Sequence, residues 1–215
     1  RSTLFPYTTL FRSRSQVSKI TPVKNCPNLT SLNLSGTPIA NIGILQELSQ
    51  LKSLDISNTT VHDLGPISNL ENLQSLNISG TPITHLQALS EMDNLRDLYC
   101  SNTTINDLSP LKSHRRLGKI YCDHSGIGDE EASAFSKDNP FTLVIYDTEA
   151  LRSWWNNLPI YWKAVFSKQI QVDTNPTTEQ LHQVINMQEL DLSGNTFMQN
   201  LVPVSRLTNL RSLNI

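Results

Sequence analysis

Charge is scarce in this chain. Of its 215 residues only 17 % are Asp, Glu, Lys or Arg, against about 25 % in an ordinary globular domain. The net charge is −2, so the basic surplus of a nucleic-acid binder is missing, and no nucleic-acid partner is expected. No apolar run approaches the ~18 residues of a membrane-spanning helix, so no membrane segment is expected either. Three cysteines are too few, and odd in number, for a disulfide scaffold. Chemistry is equally thin. The sequence has no Gly-rich phosphate loop, no HExxH, no CxxC and no nucleophile elbow. It offers no catalytic residue, no metal set and no cofactor motif.

What fills the space is Leu with Ser, Thr and Asn, arranged periodically. Leu29, Leu51, Leu73, Leu95 and Leu117 are each 22 residues apart. The segments they open read LTSLNLSGTPI, LKSLDISNTTV, LQSLNISGTPI, LRDLYCSNTTI and LGKIYCDHSGI. A fixed period of this length is the mark of a solenoid. In L-x-x-L-x-L the last two apolar positions alternate with polar ones, so a short strand turns one face to the core. Pro22, Pro66, Pro110 and Pro203 cannot donate within a central strand, which places them on the opposite side of the coil. Thr37, Thr59, Thr81, Thr103 and Ser125 recur where the chain leaves the strand, where a hydroxyl can satisfy an exposed backbone group. Cys26, Cys100 and Cys122 fall at inward apolar positions and behave as small reduced hydrophobes, which leans toward a cytoplasmic setting.

The repeat breaks after Ile127. Ala132 and Phe135 predict a longer helix, and Phe141–Tyr146 a closing strand. Residues 147–186 carry no repeat and hold all three tryptophans. Leu151, Trp154, Trp155 and Leu158 share one helical face, and Trp162, Val165 and Phe166 another. T-T-E-Q from Thr177 is a capping box for a third helix with Leu181, Val184 and Ile185 inward. Helical spacing makes the Trp cluster packing against the end of the array, not an aromatic ligand cage. The repeat then resumes in MQELDLSGNTF and runs to LRSLNI, with one residue inserted near Met198 and Asn195 in the Thr position.

Stacking the coils defines rows of outward strand residues. Ser31-Asn33-Ser35, Ser53-Asp55-Ser57 and Ser75-Asn77-Ser79 are small. Asp97-Tyr99-Ser101 and Lys119-Tyr121-Asp123 are not. Two stacked tyrosines ringed by charge have the composition of a binding hot spot, and equally that of residues placed there because Tyr favours strands. The expected partner-binding residues are therefore Asp55, Asn77, Asp97, Tyr99, Lys119, Tyr121 and Asp123. His114 on the opposite side and His124 at a strand exit should not converge on a metal. The Asn-x-Ser/Thr triplets at Asn28, Asn33, Asn58, Asn77 and Asn102 fall out of the repeat and do not argue for glycosylation.

These segments resemble the bacterial leucine-rich-repeat proteins of the 22-residue class; the internalins and the repeat regulatory subunit of protein phosphatase 1 belong to the same broad class. The resemblance implies an α/β fold: a right-handed leucine-rich-repeat solenoid with a concave parallel sheet, here interrupted by a small helical segment. It also implies recognition of a protein partner on the concave face, hence a non-catalytic interaction scaffold. Two alternatives stay open: the recognition arm of a larger enzyme or signalling protein, and a bacterial cell-surface adhesin. Residues 1–13, RSTLFPYTTLFRS, resemble instead a translated sequencing adapter, as in a fragment from a metagenomic assembly, and are expected to take no part in the fold. The expected organisation is then an N-terminally truncated array over 14–146, a Trp-rich capping or linker segment over 147–186, and the start of a second, truncated array over 187–215.

Overall fold

The computed structural model describes residues 9–11, 16–171, 175–196 and 198–215. The chain divides into two compact units, Arg1–Thr142 and Leu143–Ile215.

The first unit is built on six parallel strands in chain order: β1 (Thr9–Phe11), β2 (Ser31–Asn33), β3 (Ser53–Asp55), β4 (Ser75–Asn77), β5 (Asp97–Tyr99) and β6 (Lys119–Tyr121). Every pairing joins a residue to the one a full 22-residue repeat later, as in Leu32↔Leu54, Leu54↔Leu76 and Leu98↔Ile120. The sequence period is thus the strand register. Between strands the chain returns through 3₁₀ turns at Thr21–Asn25, Gly43–Glu47, Gly65–Ile67, Gln87–Leu89 and Ser109–Leu111. Pro22, Pro66 and Pro110 lie in the first turn of these, where a missing N–H costs nothing. The apolar positions of each coil close a continuous core: Leu54, Ile56, Val61, Leu64, Ile67, Leu70 and Leu73 are all buried.

Polar residues in this unit repeat as strictly as the leucines. The hydroxyls of Thr37, Thr59, Thr81, Thr103 and Ser125 donate to the carbonyls of Leu34, Ile56, Ile78, Cys100 and Cys122, at 2.6, 2.6, 2.5, 2.7 and 2.6 Å. One residue earlier the backbone turns left-handed at Gly36, Asn58, Gly80, Asn102 and His124, with φ between 54° and 67°. Gly tolerates that region for want of a Cβ, and Asn more readily than most residues. Asn41, Asp63 and Asp107 accept from the N–H of Gly43, Gly65 and Ser109 two residues on, each at 2.8 Å, forming Asx turns that lead into the 3₁₀ segments. After Ile127 the coil lengthens into α1 (Asp129–Asp138), which buries Ala132 and Phe135. Glu131 Oε1 accepts from the Leu108 N–H at 2.8 Å, tying this helix to the preceding coil.

Thr9–Phe11, expected to stand outside the fold, pair as β1 with β2, Leu10 opposite Leu32. A sheet edge offers a row of unpaired backbone groups to any extended segment; the rest of 1–13 lies outside the described residues. Cys26 is exposed, whereas Cys100 and Cys122 are buried. It belongs to the first coil of the 3₁₀ stack, while its repeat equivalent Leu48, one coil further in, is fully buried. His114, on the side of the coil opposite the strands, is buried: it takes the place of Met92 one coil earlier, and its Nε2 lies 2.9 Å from the Leu89 carbonyl oxygen.

The second unit comprises β7 (Leu143–Ile145), α2 (Thr148–Asn157), α3 (Ile160–Ile170), α4 (Thr178–Ile185), β8 (Glu189–Asp191) and β9 (Ser212–Asn214), with a 3₁₀ turn at Val202–Arg206. Thr177 and Gln180 close the capping box reciprocally: Gln180 N–H to Thr177 Oγ1 and Thr177 N–H to Gln180 Oε1. β8 and β9 pair in parallel with Leu190 opposite Leu213, a step of 23 as the inserted residue requires. Trp155, Trp162 and Phe166 pack with Leu181, Val184, Leu190, Leu192 and Leu207 in one core. The Trp-rich helices therefore share their core with the resumed repeat, and the tryptophans are packing residues. Asn195 stands in for the repeat Thr, its Nδ2 donating to the Leu192 carbonyl at 2.9 Å. His182, fully buried, has Nδ1 2.9 Å from the Thr178 carbonyl oxygen, while its Nε2 lies 3.0 Å from the Tyr146 N and 2.7 Å from the Tyr146 carbonyl oxygen. The ring stitches α4 to the residue that follows β7.

Candidate functional site

Successive residues of a strand point to opposite faces of the sheet. Leu98 and Ile120 point inward and are fully buried, so their neighbours Asp97, Tyr99, Lys119 and Tyr121 lie on the outer face, all half-buried. Register sets Asp97 opposite Lys119 and Tyr99 opposite Tyr121. The two rings stack with centroids 4.6 Å apart and planes within 4°. That separation is the ~4.8 Å strand spacing itself, so backbone pairing holds the rings in place. Asp123, two residues beyond Tyr121, shares the face. These five residues form one patch over β5 and β6.

Asp55 and Asn77, in register with each other on β3 and β4, have a different occupation. Asp55 Oδ1 accepts from the Ser57 N–H at 2.9 Å and from the Ser57 hydroxyl at 2.6 Å. Asn77 Oδ1 accepts from the Ser79 N–H at 3.0 Å, and Asn33 Oδ1 from the Ser35 N–H at 2.9 Å. Asp191 makes the same bond to Ser193 in the second unit, at 2.9 Å. A side-chain acceptor at the last strand residue thus braces the turn that follows. Asp191 is fully exposed, yet the Ser193 hydroxyl and N–H hold its carboxyl below the ordinary value. Tyr99 and Tyr121 occupy the same repeat position and carry no amide or carboxylate to do this work. The two coils with the aromatic pair are those that have given up the brace.

A second set of groups adjoins the patch and was not legible as a site from the repeat alone. Arg96, Asp97, Arg116, Gly118 and Lys119 line a shallow depression of about 690 Å³. Gly118 stands where the earlier coils carry Thr30, Lys52, Gln74 and Arg96, and the absent side chain leaves the depression open. The signal lay in the charge order, since no Asp or Glu occurs between Asp107 and Asp123 while Lys112, Arg115, Arg116 and Lys119 do.

Other chemistry-bearing residues do not assemble. Among the described residues no group of three His, Cys, Asp or Glu is placed to share a metal ion. Buried Cys122 has its thiol pushed well up, first by its contact with the Cys100 thiol and then by desolvation. Raised thiols of this kind are poor nucleophiles. No helix among the described residues is long and apolar enough to cross a membrane.

The repeat-long register, the inward leucines and the 3₁₀ returns define a leucine-rich-repeat solenoid. A family model described as leucine rich repeats (2 copies) matches residues 49–91. An internalin C2 of Listeria monocytogenes has a similar structure, with a TM-score of 0.59 and 23 % identity over 96 % of this chain and 70 % of that one. A second internalin from the same organism gives a TM-score of 0.52 at 18 % identity, covering 94 % of this chain and 52 % of that one. A leucine-rich-repeat protein of Leptospira interrogans gives 0.58 at 20 % identity, over 63 % of this chain and 36 % of that one. The chain thus spans about half and about a third of the latter two. Comparison with curated proteins returns no match. At these identities the likeness is one of fold.

Proposed function

We propose that this chain is a non-catalytic protein-interaction scaffold that binds its partner on the outer face of the sheet, centred on Tyr99 and Tyr121. The observation that carries this reading is the substitution of the turn-bracing position. Asn33, Asp55, Asn77 and Asp191 all serve the fold there, whereas Tyr99 and Tyr121 replace that service with a stacked aromatic pair. Where a sequence breaks its own local rule, a functional site is the expected reason. Tyrosine is also enriched among binding hot spots, because it brings a large contact area with few rotatable bonds. Asp97, Lys119 and Asp123 supply a charged rim, and Asp55 and Asn77 lie at its margin. The fold's likeness to internalins agrees with this use, and the residues named above supply no catalytic alternative.

Panning a random dodecapeptide library against the whole chain, followed by hydrogen exchange with the selected peptides bound, tests the reading. Protection should rise over β5 and β6 and the residues just after them. Protection confined to the 3₁₀ turns on the opposite side would refute it.

A further inference from the structure

We infer that the depression beside the tyrosine pair takes an acidic, extended segment of the protein partner. The inference rests on the strand-face reading above and names the chemistry of what that face accepts. Four features carry it. Arg96, Arg116 and Lys119 line the depression with Asp97 as the single carboxylate, so it holds two net positive charges in a chain whose overall charge is −2. The charge is also segregated along the sequence, with four basic residues and no acidic one from Lys112 to Lys119. Among the described residues, neither Arg96 nor Lys119 closes an ion pair, whereas nearby Lys112 is engaged by Asp138 at 3.5 Å. Arg116 is partly committed, its Nη1 donating to Asn94 Oδ1, which points the guanidinium rather than neutralising it. Gly118 supplies the room: a Cβ there would meet nothing closer than the Arg96 carbonyl oxygen at 3.6 Å.

The shape fits a chain better than a compact anion. Lys119 opens β6, Arg96 directly precedes β5 and Arg116 lies in the turn before β6, while Tyr99 and Tyr121 lie two residues beyond Asp97 and Lys119 on the same face. An extended segment crossing from the depression to the tyrosines can set alternate carboxylates against the cations and lay its own apolar groups on the rings. Arginine pairs with carboxylates bidentately, which rewards such a chain over a diffuse negative surface. Asp97 disfavours a uniformly dense anion by repelling one of its charges.

Fluorescence anisotropy with a fluorescein-labelled octapeptide of alternating Glu and Ser tests this, with the Lys/Ser octapeptide as control. The Glu peptide should bind the whole chain more tightly at low than at physiological ionic strength, and the Lys peptide should not bind. Arg96→Glu with Lys119→Glu should weaken it by about tenfold or more, whereas Lys24→Glu with Lys137→Glu, the same change in net charge elsewhere, should leave it unchanged. Gly118→Thr, which fills the depression with the residue type found at Thr30, should weaken binding with the melting temperature preserved, and it decides the matter if the charge-reversed chain does not fold. Equal binding by both charge-reversed pairs would overturn the inference. So would binding of heparin with none of the Glu peptide, since that assigns the patch to a sulfated polysaccharide. If the Glu peptide fails while dodecapeptides still map to β5 and β6, the acidic-segment inference falls and the strand-face reading stands.

Discussion

A Cβ added to Gly80 would sit 2.5 Å from Oδ1 of Asn58, the residue that occupies the same turn one coil earlier. Both residues hold left-handed backbone, with φ of 67° and 54°. Gly80→Ala therefore meets two costs: the left-handed conformation, worth about 1–2 kcal/mol for a residue with a side chain, and the displacement of the Asn58 amide. The two separate in a double-mutant cycle. Gly80→Ala should cost less in an Asn58→Gly background than in the wild type, by about 0.5 kcal/mol or more. Urea unfolding measures both. Identical costs in the two backgrounds would mean the coils do not touch at this turn.

Thr59 shows what the repeat position next to it contributes. It is buried, and its hydroxyl donates to the Ile56 carbonyl at 2.6 Å. Thr59→Val keeps the shape and removes the donor, which should destabilise the first unit by about 1–2 kcal/mol. Thr59→Asn should cost less, because Asn195 makes the equivalent bond in the second unit. The comparison is best followed by circular dichroism, since all three tryptophans lie in the second unit.

The three cysteines should separate by reactivity. Cys26 is exposed, while Cys100 and Cys122 are buried and the Cys122 thiol is raised by its neighbour and by burial. Brief treatment of the native protein with iodoacetamide should add one label, mapping to Cys26, and denaturation should release the other two. Fast labelling at Cys100 or Cys122 would show that the core over β5 and β6 opens readily.

Asp107 links the turns to pH. The Ser109 hydroxyl donates to Oδ2 at 2.9 Å and the Ser109 N–H to Oδ1 at 2.8 Å, and these bonds lower the carboxyl below its usual value. Its folded value is below its unfolded one. The stability it contributes is thus fully present above the ordinary ~3.9 and lost as pH falls through the lower folded value. NMR titration should place its midpoint below that of an unstructured Asp, and Ser109→Ala should move it back up, because the first cause of the shift is then gone. An unmoved midpoint would mean that the bond from the Ser109 hydroxyl to Asp107 is not formed in solution.

Much of the first unit was legible because one period governs it. Leu29 to Leu117 fixed the register, and the Thr position anticipated its hydrogen bond. The errors fell where a position's neighbours, and not its residue type, decide the outcome. Cys26 reads as core by period but sits in the first coil of the stack, and the burial of His114, placed by the sequence only on the side opposite the strands, shows once it is seen in the slot that Met92 fills one coil earlier. The capping box at Thr177 was plain because it is local, whereas the sharing of one core by Trp155, Trp162 and Leu190 depends on how separate elements pack. At the candidate site the tyrosine stack followed from spacing alone. The brace made by Asp55 and Asn77 did not, because it needs the turn geometry, and Arg96 came into view only once Gly118 was seen to leave room beside it.

The most direct test restores the brace. Tyr99→Asn with Tyr121→Asn installs at both positions the residue that Asn33 and Asn77 use, so the fold should hold or gain stability. Dodecapeptides selected on the wild-type chain should then bind this variant at least about tenfold more weakly, the loss of roughly 1.4 kcal/mol expected of a hot spot, with the melting temperature unchanged or raised. Undiminished binding to the doubly substituted chain would contradict a partner site centred on Tyr99 and Tyr121.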